Sequence, residues 1–408
     1  MTIYEEALMN YRPGLPLPAP LRGADAGTFT EYTIKERFPR IARRVLAENE
    51  LAPPAVARME ALLAEIPYGA IRPLTGPHAP DYAQWQTWIA PYAGQNWLHP
   101  PWFFVETYFY RRIIEAVDFF ATGLDPFAWQ KEQGLRRAGE TIAALCRELS
   151  HSLENGWQPG RFSHWLLVNL WSNQADLSMW SVDDSNKPGH ANDTLRLAHT
   201  LVDERAAALG VLNKLENIRV DFIVDNAGLE LVNDLALADY LLATGKASAV
   251  YFHVKRHPTF VSDATTHDVL QTLAHLRGRP QPDIQALVDR MAGYMAGGRF
   301  RPVTHLFWTS PLPLWQMPAE LRRELSLAHL IISKGDANYR RALGDAHWPP
   351  GASFAQIVSY LPAPALFLRT CKSELIAGLP PGQAEALAEK EPDWLVNGRW
   401  GVIQFVSR

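Results

Sequence analysis

From about residue 217 the chain repeats one rhythm: a short apolar run rich in β-formers, then a segment with helical spacing. The runs are NIRVDFIVD, KASAVYFHV, RPVTHLFW, LAHLIIS and APALFLR, and helical stretches follow most of them. Such alternation restricts the second half to an α/β layer with a mostly parallel sheet. The first half has a different pattern. TIKERFPRIARRVLAEN, WFFVETYFYRRIIEAVDFF and LRRAGETIAALCRELSHSLE carry apolar residues at helical intervals, joined by Pro- and Trp-rich connections. By base rates of aromatic burial, those tryptophans pad helix contacts more often than they wall a cleft. A chain of 408 residues exceeds the usual size of one core, which predicts two lobes. The rhythm changes between about 170 and 218, around the polar stretch SVDDSNKPGHAND. We therefore expect a mainly helical domain over 1–200 and an α/β domain over 201–408.

In open α/β sheets, ligands bind beyond the carboxyl ends of the strands. The run ending at Val224 delivers Asp225 and Asn226, and the next leads to Asp263. LAHLIIS leads into Lys334, Asp336, Asn338, Tyr339 and Arg340, and APALFLR ends at Arg369, followed by Lys372. Two carboxylates and an amide are hard oxygen donors that suit Mg²⁺ or Mn²⁺. Arg369 and Lys372 would supply positive charge to phosphate oxygens. Each motif also has an ordinary reading. Asp-Asn-Ala-Gly is common turn chemistry, with Asp225 as a helix cap. Glu230 and Asp234, four apart, would usually form a solvated stripe. Lys334-Gly-Asp reads as a loop, and Arg369 and Lys372 as partners of surface carboxylates. Asn173 and Asp176 either approach a ligand or cap the helix–sheet junction. His253, His257 and His267 match no strong zinc spacing and read as structural. Repetition at successive strand ends favours a site.

A formal net charge of −4 gives no strong pull toward nucleic acid or membrane. Cys146 and Cys371 lie far apart, without metal-site spacing, so no disulfide framework is expected. The N-terminus lacks a signal-peptide pattern, and no apolar stretch nears the roughly 20 residues of a membrane span. These features predict a soluble cytoplasmic protein. Oligomeric state is not addressed by them.

The motifs WFFVETYFYRRI, LLVNLWSNQADLS, DNAGLELVNDL, PTFVSD, KGDANYRRALGD and RTCK occur in this order between about Trp102 and Leu379. In this the chain resembles the metal-dependent damage-control phosphatase family. It is most similar to the acidic-residue methyltransferase-like subfamily, marked by an Arg-Thr-x-Lys motif, here Arg369 to Lys372. The resemblance implies a three-layer α/β/α domain preceded by a helical region. It implies a divalent metal (Mn²⁺, Ni²⁺, Co²⁺ or Mg²⁺) on Asp225, Asn226 and Asp263. Substrate contacts would come from Glu230, Lys334, Asp336, Asn338, Tyr339, Arg340 and Lys372, and weaker ones from Lys35 and Arg37. The implied activity is hydrolysis of sugar phosphates such as fructose 1-phosphate, by attack of a metal-activated water positioned by Glu230 or Asp336. Asp225 as a phosphorylated nucleophile is disfavoured, because that chemistry wants a second Asp at position 227, which is Ala. Glu106 is expected to pair with Arg111 or Arg340 and tie the lobes together. One alternative is an S-adenosylmethionine-dependent protein carboxyl methyltransferase, although no glycine-rich nucleotide loop is evident. Another is a non-catalytic sugar-phosphate-binding protein, against which three acids at a phosphate site argue.

Overall fold

The computed structural model describes residues 11–172 and 190–407. Its first part is helical, with helices Phe38–Glu48 and Pro53–Glu65 followed by α1 (Trp102–Ala116), α2 (Gly139–Leu153) and α3 (Pro159–Leu170). Then come β1 (Thr200–Asp203), β2 (Ile218–Ile223), α4 (Leu229–Ala243), β3 (Ala247–Val254), α5 (Thr266–Arg277) and α6 (Pro282–Ala296). After these follow β4 (Phe300–Thr304), β5 (Leu330–Lys334), α7 (Asp336–Leu343), β6 (Ala365–Thr370) and β7 (Gly401–Val406). The strands form one sheet in the order β1-β7-β6-β5-β2-β3-β4. Strands β4, β3, β2, β5 and β6 are mutually parallel, and β7 runs antiparallel to β6. All five expected runs form strands. The third, RPVTHLFW, stops at Thr304, because Leu306–Thr309 coils into a short 3₁₀ turn.

Side-chain alternation divides the sheet between two cores. Val220, Phe222, Val250, Phe252 and Ile332 join a cluster with α2, α3, α4, α5 and α6. Ile223, Ile331 and Phe367 face a second cluster built with α1, α7 and the N-terminal helices. Sheet and flanking helices make three layers, the α/β/α arrangement expected. Helices α2 and α3 lie before residue 200 and still pack on α4 and the sheet. The tryptophans pad these contacts: Trp85, Trp97, Trp102, Trp165 and Trp308 are fully buried. Both cysteines are buried and unpaired. No helix among the described residues is long and apolar enough to cross a membrane.

Helix α4 is apolar around its whole circumference, and so it is buried on all sides. Its polar residues therefore need internal partners. Asp239 pairs with Arg290 (2.7 Å), and Asn233 Nδ2 donates to Leu229 O. Glu230 and Asp234 are 5% and 0% exposed, so the solvated stripe is not what forms. The same rule holds within the sheet, where Asp221 accepts from Arg219 and lies 2.9 Å from His253 Nε2.

Candidate active site

Strand β2 lies between β5 and β3. The chain leaves β2 toward β3 on one side, while β5 and β6 extend the sheet on the other. The crevice beyond β2 and β5 is thus the topological switch point, where such sheets bind ligands. There Asp225 and Gly335 approach closely. Gly335 has φ +83°, and a Cβ placed on it would lie 1.9 Å from Asp225 Oδ2. Only glycine permits both the backbone conformation and the contact. Asp225 caps no helix, since Gly228 holds the N-cap position of α4.

After β3 the chain doubles back through Phe260 (φ 48°) and Val261 (φ 69°). The turn pairs Asp263 with Asn226 in an isolated antiparallel bridge, and Ala264 N donates to Asp225 O at 2.8 Å. Asp225, Asn226 and Asp263 are thereby assembled from two strand ends. The Asn226 amide is fixed at both ends. Its Nδ2 donates to Asp225 Oδ2 and to Glu230 Oε2, each at 2.8 Å, and Ser262 Oγ donates to its Oδ1 at 2.5 Å.

This side of the crevice carries surplus negative charge. Asp225, Glu230, Asp234 and Asp263 are all buried, and the buried ammonium groups within ion-pair distance of them are Lys255 and Lys334, while Lys131, paired with Asp125 and Asp268, acts on Asp263 from further off. Lys334 Nζ lies 2.8 Å from Asp234 and 3.4 Å from Glu230, and donates to Asn169 O. Lys255 Nζ lies 3.2 Å from Asp263 Oδ2, off the line of a hydrogen bond, so that buried oxygen makes none among the described residues. The imbalance shows in the titration of the acids. Burial, then Glu230 and Asp263, push Asp225 well above the usual carboxylate range. Burial lifts Asp263 to about 6 against the pull of Lys255, and Asp234 to about 7 against Lys334. A cavity of about 340 Å³ opens here, lined by Gly228, Glu230, Val261, Ser262 and Lys131.

The β5 and β6 side is balanced instead. Asp336 Oδ1 accepts from Arg369 Nε (2.7 Å), Ser373 Oγ (3.0 Å) and the Lys372 backbone N–H (3.3 Å). Burial would raise the Asp336 carboxyl, but Arg369 and then Arg340 outweigh it and hold it below its usual value. Arg369 is fully buried, and its Nη1 has no acceptor among the described residues. Lys372 is near enough to Asp225 to favour its ionised form. The surface-pair reading of Arg369 thus gives way to a buried one.

The remaining expected contacts are held within the fold. Asn338 Nδ2 donates to Val224 O (3.1 Å) and Lys334 O (2.9 Å), joining the ends of β2 and β5. Tyr339 is buried, with its hydroxyl donating to Gln404 at 3.0 Å. Arg340 lies 2.5 Å from Glu106 and 2.7 Å from Asp345, and stacks on Trp102. It ties α1 to α7, while Arg111 pairs with Asp81. Lys35 pairs with Glu31, and Arg37 lies over Phe29. Asn173 and Asp176 lie outside the described residues. His253 is held by Asp221, in keeping with a structural role.

Sequence reasoning passed over Lys255, Ser262 and Lys131. Lys255 follows an apolar strand just as Lys334 ends one, so the signal was present. Ser262 lies within PTFVSD. Lys131 comes from a helix far along the chain, and its pairing with Asp268 (2.8 Å) has no sequence signature.

Among the described residues no three His, Cys, Asp or Glu side chains form a metal cluster. The set here comes to three ligands only through the Asn226 amide. It nevertheless fits a hard divalent cation: its donors are oxygens, and the buried acids outnumber their cations.

The damage-control phosphatase ARMT1-like domain matches residues 33–387. The chain belongs to this family. Damage-control phosphatase ARMT1 of Mus musculus is 33% identical, with 95% of this chain and 98% of that protein aligned. The Homo sapiens protein of that name is 31% identical over the same shares, and the Danio rerio one 35% identical over 76% of this chain and 75% of its own length. A crystal structure of a DUF89 family protein from Pyrococcus horikoshii gives a TM-score of 0.48 at 13% identity, covering 92% of this chain and 96% of that one, too distant a likeness to build on. Membership supports phosphatase chemistry in metabolite damage control. The match begins at residue 33, so the likeness extends well before Trp102 and takes in the N-terminal helices.

Proposed function

We propose that the protein is a metal-dependent phosphomonoesterase acting on sugar phosphates of the fructose 1-phosphate kind. Asp225, Asn226 and Asp263 would hold the cation: Mn²⁺, Ni²⁺, Co²⁺ or Mg²⁺. One observation carries the reading: buried oxygen donors with unbalanced negative charge beside donors suited to phosphate, at the switch point of the sheet. A bound divalent cation supplies Lewis-acid polarisation of the phosphoryl group and eases deprotonation of water.

The protein's own groups do the rest. Glu230 and Ser262 fix the Asn226 amide, so that its oxygen is presented without reorganisation. The Lys372 ammonium receives phosphate oxygens, backed by the buried Nη1 of Arg369, which lacks an acceptor among the described residues. Asp336 orients that pair through Arg369 Nε and the Lys372 backbone, which leaves it a positioning role. Glu230, on the cavity wall, accepts the proton of the attacking water.

The test is a panel of phosphometabolites assayed with each metal in turn and with EDTA. Metal-stimulated release of phosphate is expected, lost on chelation and in Asp263→Ala, which still folds. Equal hydrolysis in EDTA, or an Asp263→Ala enzyme of near-normal metal-dependent rate, would refute the assignment.

A further inference from the structure

Four acids converge at the end of β2, and the two lysines among them are held differently. Lys334 is locked, with Asp234, Glu230 and Asn169 O around its ammonium. Lys255, at the end of β3, is only 3% exposed, yet among the described residues its ammonium makes one hydrogen bond, to Asn338 Oδ1 at 3.1 Å. An ammonium has three donors, and burying it under-bonded is costly unless its charge is used. Its charge faces Asp263 at 3.2 Å. Asn338, which aims Lys255, is itself pinned to the ends of β2 and β5. The backbone of Lys255 is pinned as well, since its N–H donates to Ala264 O at 2.9 Å and it bridges to Thr265. The ammonium is thus held against one of the proposed metal ligands, by residues of three strand ends.

We propose that Lys255 is a positioning residue of this centre: its ammonium is the resident counter-ion that holds Asp263 in place in the metal-free protein and competes with the divalent cation for that carboxylate. This rests on the metal-centre reading above. Removing the ammonium leaves like charges crowded in the absence of metal, and removes a repulsive neighbour once metal is present. Lys255→Met should therefore weaken the empty protein and tighten its hold on the cation.

Melting of the metal-free protein and Mn²⁺ titration by calorimetry, on wild type, Lys255→Met, Lys255→Arg and Asp263→Asn, test this. Metal-free Lys255→Met should melt roughly 3–6 °C lower, the shift expected for a buried charge left without its partner in a chain of this size. Lys255→Arg should recover most of the loss. Mn²⁺ should bind Lys255→Met roughly tenfold tighter, since a like charge a few ångströms away is gone. Adding Asp263→Asn to Lys255→Met should restore the melting temperature, as a double-mutant cycle through charge requires. If Lys255→Met does not fold, folding of the double variant supports the proposal, and failure of the double variant overturns it. An unchanged metal-free melting temperature, additive losses in the cycle, or Mn²⁺ binding that is equal or weaker would each overturn it. Should wild type take up no Mn²⁺, the metal-centre reading and the competition fall together, and the metal-free melting still decides the counter-ion role.

Discussion

The ends of β2 and β3 and the ends of β5 and β6 carry similar residue types, and the fold treats them oppositely. Beyond β2 and β3 the acids outnumber their partners, and Asp225, Asp234 and Asp263 are all pushed upward in pKa. Beyond β5 and β6 each acid meets a guanidinium: Asp336 pairs with Arg369, and Asp345 and Glu106 with Arg340. The first side is held by backbone bridges and glycine geometry together with Lys255 and Lys334, which are too few for its four acids, and the second by ion pairs that balance. An acid at a strand end is therefore not by itself evidence of a cation site. Its uncompensated charge is.

The strongest way to break this contrast is to neutralise one acid on each side. Asp225→Asn should lower turnover by about 10³-fold or more, equivalent to ~4 kcal/mol. In the absence of metal its stability should hold or rise, because a crowded buried acid has been removed. Asp336→Asn should cost roughly 3 kcal/mol of stability in urea melts, since Arg369 then stays buried without its carboxylate. If both variants lost stability equally, the two sides would not differ as described.

Lys372→Ala comes next. It is expected to cost about 2–4 kcal/mol in kcat/KM, as for a lost charged donor to a transition state. Stability should change little, because among the described residues the Lys372 ammonium makes no ion pair, while its backbone N–H bond to Asp336 survives substitution. A fully active Lys372→Ala enzyme would remove the phosphate role from that side.

Much of this clustering of side chains was legible in the sequence. Asp225, Asn226 and Asp263 stand out because each follows a buried run where a strand needs only a turn. Partnerships were less legible, because they depend on which strands become neighbours. Lys334 sits at a strand end, as expected, but its ammonium turns back toward α4. Glu230 and Asp234 were misplaced onto a solvated face because spacing alone was weighed; the surrounding LELVNDLALADYLLA is apolar on every side. Strands β1 and β7 were missed because neither is a long run followed by a helix. GVIQFV ends the chain as an antiparallel strand, outside the strand–helix rhythm.

A titratable cation sharpens the same point. His164, on α3, lies between Glu148 (2.5 Å) and Asp193 (2.7 Å). Burial alone would lower it, but the two carboxylates outweigh burial and raise it to about 9. Its contribution is complete below the unfolded value near 6.5 and is lost as pH rises through about 9. Stability should thus fall over that window by on the order of 1–3 kcal/mol, and His164→Leu should flatten the profile. A wild-type profile level from pH 6.5 to 9 would show that this balanced cluster does not carry the charge ascribed to it.

The smallest effect concerns how the unbalanced side is held. Val261 adopts φ 69°, a conformation that costs a β-branched residue on the order of 1–3 kcal/mol. The strain is tolerated because the turn brings Asp263 beside Asn226 through a backbone bridge. Glycine relieves the strain but loses up to about 1 kcal/mol through unfolded-chain entropy. Val261→Gly should therefore be neutral, or stabilising by up to ~1 kcal/mol, in denaturant titrations. Turnover should fall instead, because a looser turn presents Asp263 less sharply. A loss of more than about 1 kcal/mol would mean that the valine side chain, rather than the turn, secures this part of the crevice.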